Sequence, residues 1–478
     1  MAFVDRENEL DALEQFWRSG TAQFVPVVGR RRVGKTTLLE HFADRKGNVV
    51  YYRCQLLPTS AQLPLLGVTL AELSGDEVLR AQAPATWPAV FALIERLTQR
   101  RRLLLILDEI PYWVARDESL PSLLQNWWDS EGRKLDIMVV LCGSAVQMME
   151  RLLTGEAPLA GCVTRRMRVS PLNFRAAADL LRFRDPIASL TAYGILGGVP
   201  LYLTYFQPDL SIRENILEAI ASPTARLYVE PQAVFASYHL TFNSQQALAV
   251  LRAIAQRNYR WSDIARASGI AAPTLERVMG PLIGDMGLVE RLLPVTEKGP
   301  NKTYYTQYRL TDNFFQFWFR FVEPNQGHIE FGDRERIVDM IMADLSEYMG
   351  LPFEAMCRDW VRMASAAGTL PVRAGRVGIW WTADHELDVV GLDEGEKVAL
   401  VGEAKWHNQR FDWGDLERFL DHTRALGSRL LPDALHILFS KSGFENNVRR
   451  WVESNNAMMI TPAEMLAPLE PRKPAEEG

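Results

Sequence analysis

Cysteine is scarce in this sequence: Cys54, Cys142, Cys162 and Cys357 are the 4 in 478 residues, and none sits in a C-x-x-C or Cys/His spacing. That excludes a disulfide framework and a structural zinc knot, and it predicts reduced, mostly buried thiols. Long apolar runs are missing too. The longest, near Leu103 and Ile137, fall far short of the roughly 20 residues that span a bilayer, so no membrane segment is expected. The opening Met1-Ala2-Phe3-Val4-Asp5-Arg6-Glu7 is charged and has no signal-peptide core, which predicts a cytoplasmic protein. No charge of one sign dominates: Lys+Arg 53 against Asp+Glu 59 leaves −6, so any nucleic-acid footprint must be local. Internal repeats are absent, and only the Pro/Glu/Lys tail from Pro468 is expected to fray. At this length the chain suggests about three domains.

What is present centres on one stretch. Phe24 to Val28 reads as a buried strand that stops at Gly29. Gly29-Arg30-Arg31-Arg32-Val33-Gly34-Lys35-Thr36 then fits G-x-x-x-x-G-K-[ST], and Thr37-Leu38-Leu39-Glu40-His41-Phe42 has helical spacing. Strand, glycine-bounded loop and helix N-terminus form a phosphate cradle, because backbone N–H groups turn inward and the helix dipole adds positive potential. Lys35 would neutralise the β- and γ-phosphates of ATP, and the Thr36 hydroxyl would hold Mg²⁺. The bland alternative is a turn before a helix; a strand on one side and a helix on the other weigh against it.

A second strand, Leu103 to Leu107, is apolar throughout and ends in Asp108-Glu109. Continuous apolarity implies a parallel strand covered on both faces, and ligands of open α/β sheets sit at such C-terminal ends. Asp108 would join the Mg²⁺ shell and Glu109 would polarise the attacking water; a solvated acidic turn is the plainer reading. A third apolar strand, Ile137 to Cys142, ends at Gly143-Ser144, where Ser144 either contacts the γ-phosphate or caps the next helix. Ahead of the loop, Asp5 is a candidate N-cap for a helix through Leu10, Leu13 and Phe16.

These pieces, in order, are F-V-D-R-E-N-E-L, G-R-R-R-V-G-K-T-T-L-L, L-I-L-D-E-I-P-Y-W, L-C-G-S-A, P-L-A-G-C-V-T-R-R-M and G-G-V-P-L-Y-L. The series resembles the archaeal-type ATPases of the AAA+/STAND group of P-loop NTPases, over roughly residues 1–325. The resemblance implies ATP binding and hydrolysis, Arg6 and Glu7 near the base or sugar, Ser144 as a sensor, and Gly197-Gly198-Val199-Pro200 in a helical lid. It also implies homo-oligomers, since ATPases of the parent group often assemble into rings. The group's pattern has an arginine directly after the glycine corresponding to Gly161; here Cys162 and Val163 follow, with arginines only at Arg165 and Arg166.

From about 171 to 235, helical stretches alternate with Gly/Pro breaks, as a small helical lid requires. From Ala247 the pattern becomes helix, a short helix capped by Ser262, a turn at Gly269, a helix from Pro273, then two strands around a Gly-Pro-Asn-Lys tip. That order predicts a winged helix-turn-helix. Residues 247–310 hold nine Lys/Arg and five Asp/Glu, a local +4. Thr274, Arg277, Lys298 and Lys302 are the candidate DNA contacts; a protein–protein module is the rival. The Phe/Trp stretch from Phe314 to Phe321 reads as core, not as a stacking platform.

Beyond Pro324-Asn325-Gln326-Gly327, a helix carrying Glu354 precedes strands ending in Asp388-Val389-Val390 and Gly402-Glu403-Ala404-Lys405, joined by an Asp-Glu-Gly-Glu turn. Strand period two puts Glu403 and Lys405 on one face. Counting from the turn puts Asp388 within about two positions of Glu403 across the ladder. Two carboxylates and a lysine suit Mg²⁺-assisted phosphodiester hydrolysis, with Lys405 positioning the water and Glu354 completing the ligands. An exposed Glu/Lys pair on a surface hairpin is the plain alternative. The order Glu354, hairpin, Asp388, Glu403-x-Lys405 resembles the PD-(D/E)XK nuclease fold over roughly 340–460, in particular the nuclease-like domain that commonly follows archaeal-type ATPases.

The expected architecture is therefore α/β. A P-loop NTPase parallel sheet (1–170) leads to a helical lid (171–235), a winged helix (236–325) and a restriction-endonuclease-like α/β domain (340–465). The expected function is an ATP-hydrolysing switch coupled to DNA binding and a Mg²⁺-dependent nuclease-like domain, in defence or DNA processing. The rival is a signalling ATPase or transcription regulator whose last domain binds a partner without cleaving.

Overall fold

A computed structural model of the chain describes residues 5–82, 84–237, 244–284, 286–297 and 306–471. Lys298 and Lys302, at the predicted wing tip, lie outside the described residues. The chain divides into two compact units, one formed by Met1–Pro171, Val199–Leu201 and Gly280–Gly287, the other by the rest.

The first unit holds β1 (Gln23–Val28), β2 (Val49–Arg53), β3 (Leu103–Asp108), β4 (Ile137–Gly143) and β5 (Met167–Arg168). All pair in parallel, in the order β2-β3-β4-β1-β5. The two-residue period of a strand sends Phe24 and Val28 to one face and Val25 and Val27 to the other. Each set joins a separate core, with Leu103, Leu105 and Leu107 on the first side and Leu104 and Ile106 on the second. A sheet buried on both faces has no room for charge until its strands end, which is why Asp108 and Glu109 appear only at the C-terminal edge of β3.

The helix predicted before β1 spans Glu7–Arg18, but its N-cap is Arg6, without a side-chain cap bond. Asp5, the expected cap, stands one residue too early and takes a left-handed conformation at φ 52°.

The second unit begins with the helices Phe174–Leu181, Pro186–Leu196, Ile212–Ala219 and Glu230–Ser237. Ser244–Ala255 and Trp261–Ser268 follow, with Gly269 closing the latter in the left-handed region at φ 69°. Ser262 does not cap that helix: Arg260 occupies the cap position, and Ser262 is already inside. The helix Ala272–Ile283 comes next, belonging to this unit as far as Met279, then an antiparallel pair, β6 (Val289–Leu292) and β7 (Gln307–Leu310). Phe314, Phe315, Phe317, Trp318, Phe319 and Phe321 are all buried, as the core reading expects.

The last part of this unit is a mixed sheet, β12-β11-β10-β9-β8. The helix Gly350–Ala366 leads into the antiparallel meander β8 (Arg376–Trp381), β9 (Glu386–Leu392) and β10 (Val398–Lys405). The helix Trp413–Arg424 then crosses to β11 (Leu430–Ser440), parallel to β10, and Asn446–Glu453 crosses to β12 (Ala457–Ile460), parallel to β11. Trp380, Leu387, Val390, Val401 and Leu438 share one core with Leu416, Phe419 and Val448 of the two crossover helices.

All four cysteines are free and buried. Among the described residues no helix is long and apolar enough to cross a membrane.

Candidate functional site

In the first unit the phosphate loop lies between the end of β1 and the helix Lys35–Ala43. Arg32 at φ 68° and Gly34 at φ 93° bend it through the left-handed region. Gly29 is required by contact: a Cβ there would lie 2.3 Å from the Val169 carbonyl oxygen. Any side chain would push the loop off β5.

Lys35 is buried, and its ammonium donates to the carbonyls of Gly29 (2.9 Å) and Arg30 (3.0 Å). Arg31 donates to the Tyr112 hydroxyl (3.1 Å), while Thr37 is exposed on the first helical turn. Val33 is fully buried and fastens the loop to the core. Arg6 is spent on protein partners: its guanidinium donates to the Val33 carbonyl (3.0 Å) and the Ser170 carbonyl (2.7 Å) and pairs with Glu9 (2.7 Å). In this arrangement Arg6 braces the loop instead of reaching for a base or sugar.

The Thr36 hydroxyl donates to Asp108 Oδ2 at 2.9 Å, and the Tyr51 hydroxyl to the same oxygen at 3.0 Å. Burial and the neighbouring Asp108 charge push the Tyr51 phenol well above its ordinary pKa. Asp108 is wholly buried, yet its Oδ1 has no hydrogen-bond partner. A buried carboxylate oxygen without a donor is costly, and a cation or its water would supply the missing partner. Thr36 and Asp108 fit a Mg²⁺ shell completed by phosphate oxygens.

Glu109 adopts a left-handed backbone at φ 56°. Its Oε2 accepts from the Ser144 hydroxyl (2.8 Å) and the Ser144 N–H (3.1 Å). The strand order explains the meeting, because β4 lies between β1 and β3. Ser144 therefore does not cap the next helix, whose N-cap is Ala145. Cys162 is buried, and burial pushes its thiol up to about 11. Arg165 donates to the Thr164 carbonyl, and Arg166 to the Leu153 carbonyl.

In the second unit Gly402 pairs with Val389, so Glu403 and Asp388 are the next residues along, as the turn count predicts. Glu354, Asp388 and Glu403 line one cavity of about 450 Å³ with Arg257, Tyr259 and Arg309. Asp388 Oδ2 accepts from the Ala404 N–H at 2.8 Å, and Lys405 Nζ bonds Glu403 Oε1 at 2.6 Å. Burial and the Asp388 charge push Glu354 up to about 8; the same two causes push Glu403 up to about 8. Burial also raises Asp388. For Lys405 burial works downward, but the Glu403 carboxylate outweighs it and the net shift is up.

The predicted three-carboxylate metal set is only partly assembled. Among the described residues no three His, Cys, Asp or Glu side chains are close enough to share an ion. The reason is internal: Glu403 is held by Lys405, and Glu354 lies between Arg358 (3.9 Å) and Arg309 (4.0 Å). The donors are still of the right kind, all hard oxygens, and Glu354 Oε2 is buried without a hydrogen bond.

Sequence reasoning missed Arg309, Arg358, Glu386 and Tyr259. Arg358 was legible in principle, four residues after Glu354 on one helix, and Glu386 lies two before Asp388 on one strand. No sequence signal ties Arg309 or Tyr259 to this cavity. On the remaining candidates, Arg277 is exposed and donates to the Thr274 hydroxyl at 3.3 Å.

Residues 3–206 match an ATPase domain predominantly from Archaea. Residues 318–416 match a family of archaeal and bacterial proteins of unknown function. An uncharacterized protein of Methanocaldococcus jannaschii is 26% identical over 410 residues, covering 84% of this chain and 87% of the relative. An uncharacterized ATP-binding protein of the same organism is 46% identical over 44 residues, 9% of this chain and 75% of that one. Among solved structures the Walker-type ATPase of Pyrococcus abyssi is similar with a TM-score of 0.51 and 19% identity, over 66% of this chain and 96% of that chain, a likeness of fold. The chain carries an ATPase domain of the archaeal type in its first 206 residues.

Proposed function

We propose that this protein binds and hydrolyses ATP at the loop Gly29–Thr36 and couples that cycle to a DNA-binding winged helix and a phosphodiester-cleaving C-terminal domain. In the ATPase step Lys35 exchanges the Gly29 and Arg30 carbonyls for the β- and γ-phosphates. Thr36 and Asp108 would hold Mg²⁺, which would supply charge screening between those phosphates. Glu109 takes the proton of a water that attacks the γ-phosphorus, and the β–γ bridging bond breaks with its electron pair leaving on ADP. Ser144 fixes the Glu109 carboxylate for that task.

Supporting the second activity is one observation. Helix, antiparallel meander, crossover helix and parallel strand bring Glu354, Asp388 and Glu403 to one cavity, with Lys405 bonded to Glu403. There Lys405 would orient a water against the scissile phosphorus, and the bond to the leaving sugar oxygen would break with its electron pair on that oxygen; Asp388, with Glu354 or Glu403 once released from its cationic partner, would hold a Mg²⁺ that supplies charge stabilisation on the phosphate. The helices Trp261–Ser268 and Ala272–Ile283 with the β6–β7 pair support the winged-helix reading, and exposed Arg277 is its described candidate for a DNA phosphate.

A second reading, a regulator whose C-terminal domain binds DNA or a partner without cleaving, is favoured by Glu354 and Glu403 being neutralised by arginines and a lysine. Plasmid and short-duplex cleavage with Mg²⁺ or Mn²⁺, with and without ATP, separates the two. Cleavage lost in both Asp388→Ala and Lys405→Ala, and altered by Lys35→Ala, is the expected result. Intact ATPase activity with no cleavage under any condition would leave the regulator.

A further inference from the structure

The cavity that holds Glu354, Asp388 and Glu403 is not built by the C-terminal sheet alone. Arg309 enters it from β7, and Tyr259 from the turn before the helix Trp261–Ser268. The Arg309 guanidinium lies 4.0 Å from Glu354 and 3.7 Å from Glu386. It stacks on the Tyr259 ring at 4.9 Å and donates twice to the Gln307 side chain of its own strand, at 3.3 and 3.0 Å. Its side chain is only 12% exposed.

These contacts describe a charge in place but not firmly bonded to the carboxylates. Glu354 Oε2 accepts no hydrogen bond, so neither Arg309 nor Arg358 satisfies it. Arg358 is tied elsewhere, to the Asp388 carbonyl at 2.8 Å. Arg257, the other arginine lining the cavity, is paired with Glu347, whereas the short bonds of Arg309 are to Gln307 and its face rests on Tyr259, so among the described residues Arg309 is the cation that lies beside Glu354 without a hydrogen bond to a carboxylate. A divalent ion at Glu354 would sit a few ångströms from that guanidinium, a strong repulsion where water is scarce. A planar guanidinium also pairs better with a phosphodiester than with carboxylates at this distance.

We infer that Arg309 is a switching residue that occupies the carboxylate cavity when no nucleic acid is bound and moves onto the phosphodiester when nucleic acid enters, freeing Glu354 for the divalent cation. This rests on the nuclease-like reading above and gives that site its regulation: substrate and metal bind cooperatively, each raising the other's affinity by the same factor. The residue's role is positioning, not chemical. It also makes the strand of the predicted wing part of the wall of the cleavage site.

Mn²⁺ binding to the full-length chain without nucleotide, followed by electron paramagnetic resonance, tests this apart from activity. A short phosphorothioate duplex serves as the uncleaved ligand, and Asp388→Asn defines which binding belongs to this cavity. In the wild type the duplex should tighten the Asp388-dependent Mn²⁺ site about tenfold, the ordinary size of such a coupling. Arg309→Gln should bind Mn²⁺ about tenfold tighter without duplex and gain less than about twofold when duplex is added. Arg309→Lys, which keeps the charge, should bind as weakly as wild type and guards against a folding artefact in the glutamine variant. Equal Mn²⁺ affinity in wild type and Arg309→Gln, with an intact Asp388-dependent site, overturns the switch and leaves the nuclease-like reading standing. No Asp388-dependent Mn²⁺ in any variant, with or without duplex, overturns both.

Discussion

Replacing Ser144 with alanine isolates one link in the proposed ATPase step. Glu109 Oε2 accepts two bonds from Ser144, one from the hydroxyl at 2.8 Å and one from the N–H at 3.1 Å. Alanine removes the first and keeps the second. A hydrogen bond to a charged group is worth about 1.5–3 kcal/mol, and the surviving N–H argues for the lower end. If the bond matters mainly for aiming the carboxylate, about 1.4 kcal/mol appears as a tenfold fall in kcat. Lys35, Thr36 and Asp108 are untouched, so nucleotide affinity should stay within about twofold. Steady-state phosphate release gives kcat, and titration with a fluorescent ATP analogue gives Kd. In the double variant with Glu109→Gln the Ser144 effect should vanish, because there is no carboxylate left to aim. An unchanged kcat, or a loss confined to Kd, would refute the pairing as a catalytic arrangement.

Gly29→Ala should lower the melting temperature and abolish ATP binding together, since its Cβ meets the Val169 carbonyl at 2.3 Å and overpacking costs about 1–3 kcal/mol. Arg6→Ala strips two backbone carbonyls of a charged donor, so chemical denaturation should show a loss of about 2 kcal/mol or more, with weaker ATP binding although Arg6 need not touch the nucleotide. Glu354 and Glu403 give a pH signature. Both are pushed up to about 8 from an ordinary 4.5, so the native state keeps protons that the unfolded chain releases. Their contribution is fully present below about pH 4.5 and is lost as pH rises towards 8. Melting curves should therefore fall across that window in the wild type and fall less steeply in Glu354→Gln.

The loop and strand ends of the proposed nucleotide site were legible because their determinants are local. A strand buried on both faces must run apolar and end abruptly, and a tight strand-to-helix loop favours glycines such as Gly29 and Gly34, so chain order alone placed Lys35, Thr36, Asp108 and Glu109 at one edge of the sheet. Ser144 was half legible: the end of its strand was visible, but its bond to Glu109 depends on β4 lying between β1 and β3. Arg6 illustrates the opposite case, since its partner Ser170 is 164 residues away. In the C-terminal domain the tight turn between β9 and β10 fixed the register, and with it the nearness of Asp388 and Glu403. What the turn could not give was the third dimension. Arg309 and Tyr259 reach the cavity from another part of the chain, and with them comes the reason the three carboxylates do not gather round one point.

β4 has a neighbour on each side, and every one of its residues is buried. A strand bonded along both edges is the stiffest mount a domain can offer, so it cannot carry news of hydrolysis by bending. Ser144 is the last fixed point, and the helix Val146–Leu153 begins two residues later. In the proposed cycle the sheet is the stator, and Ser144, set at the end of its stiffest strand and bonded to Glu109, is the place where loss of a γ-phosphate would first be felt.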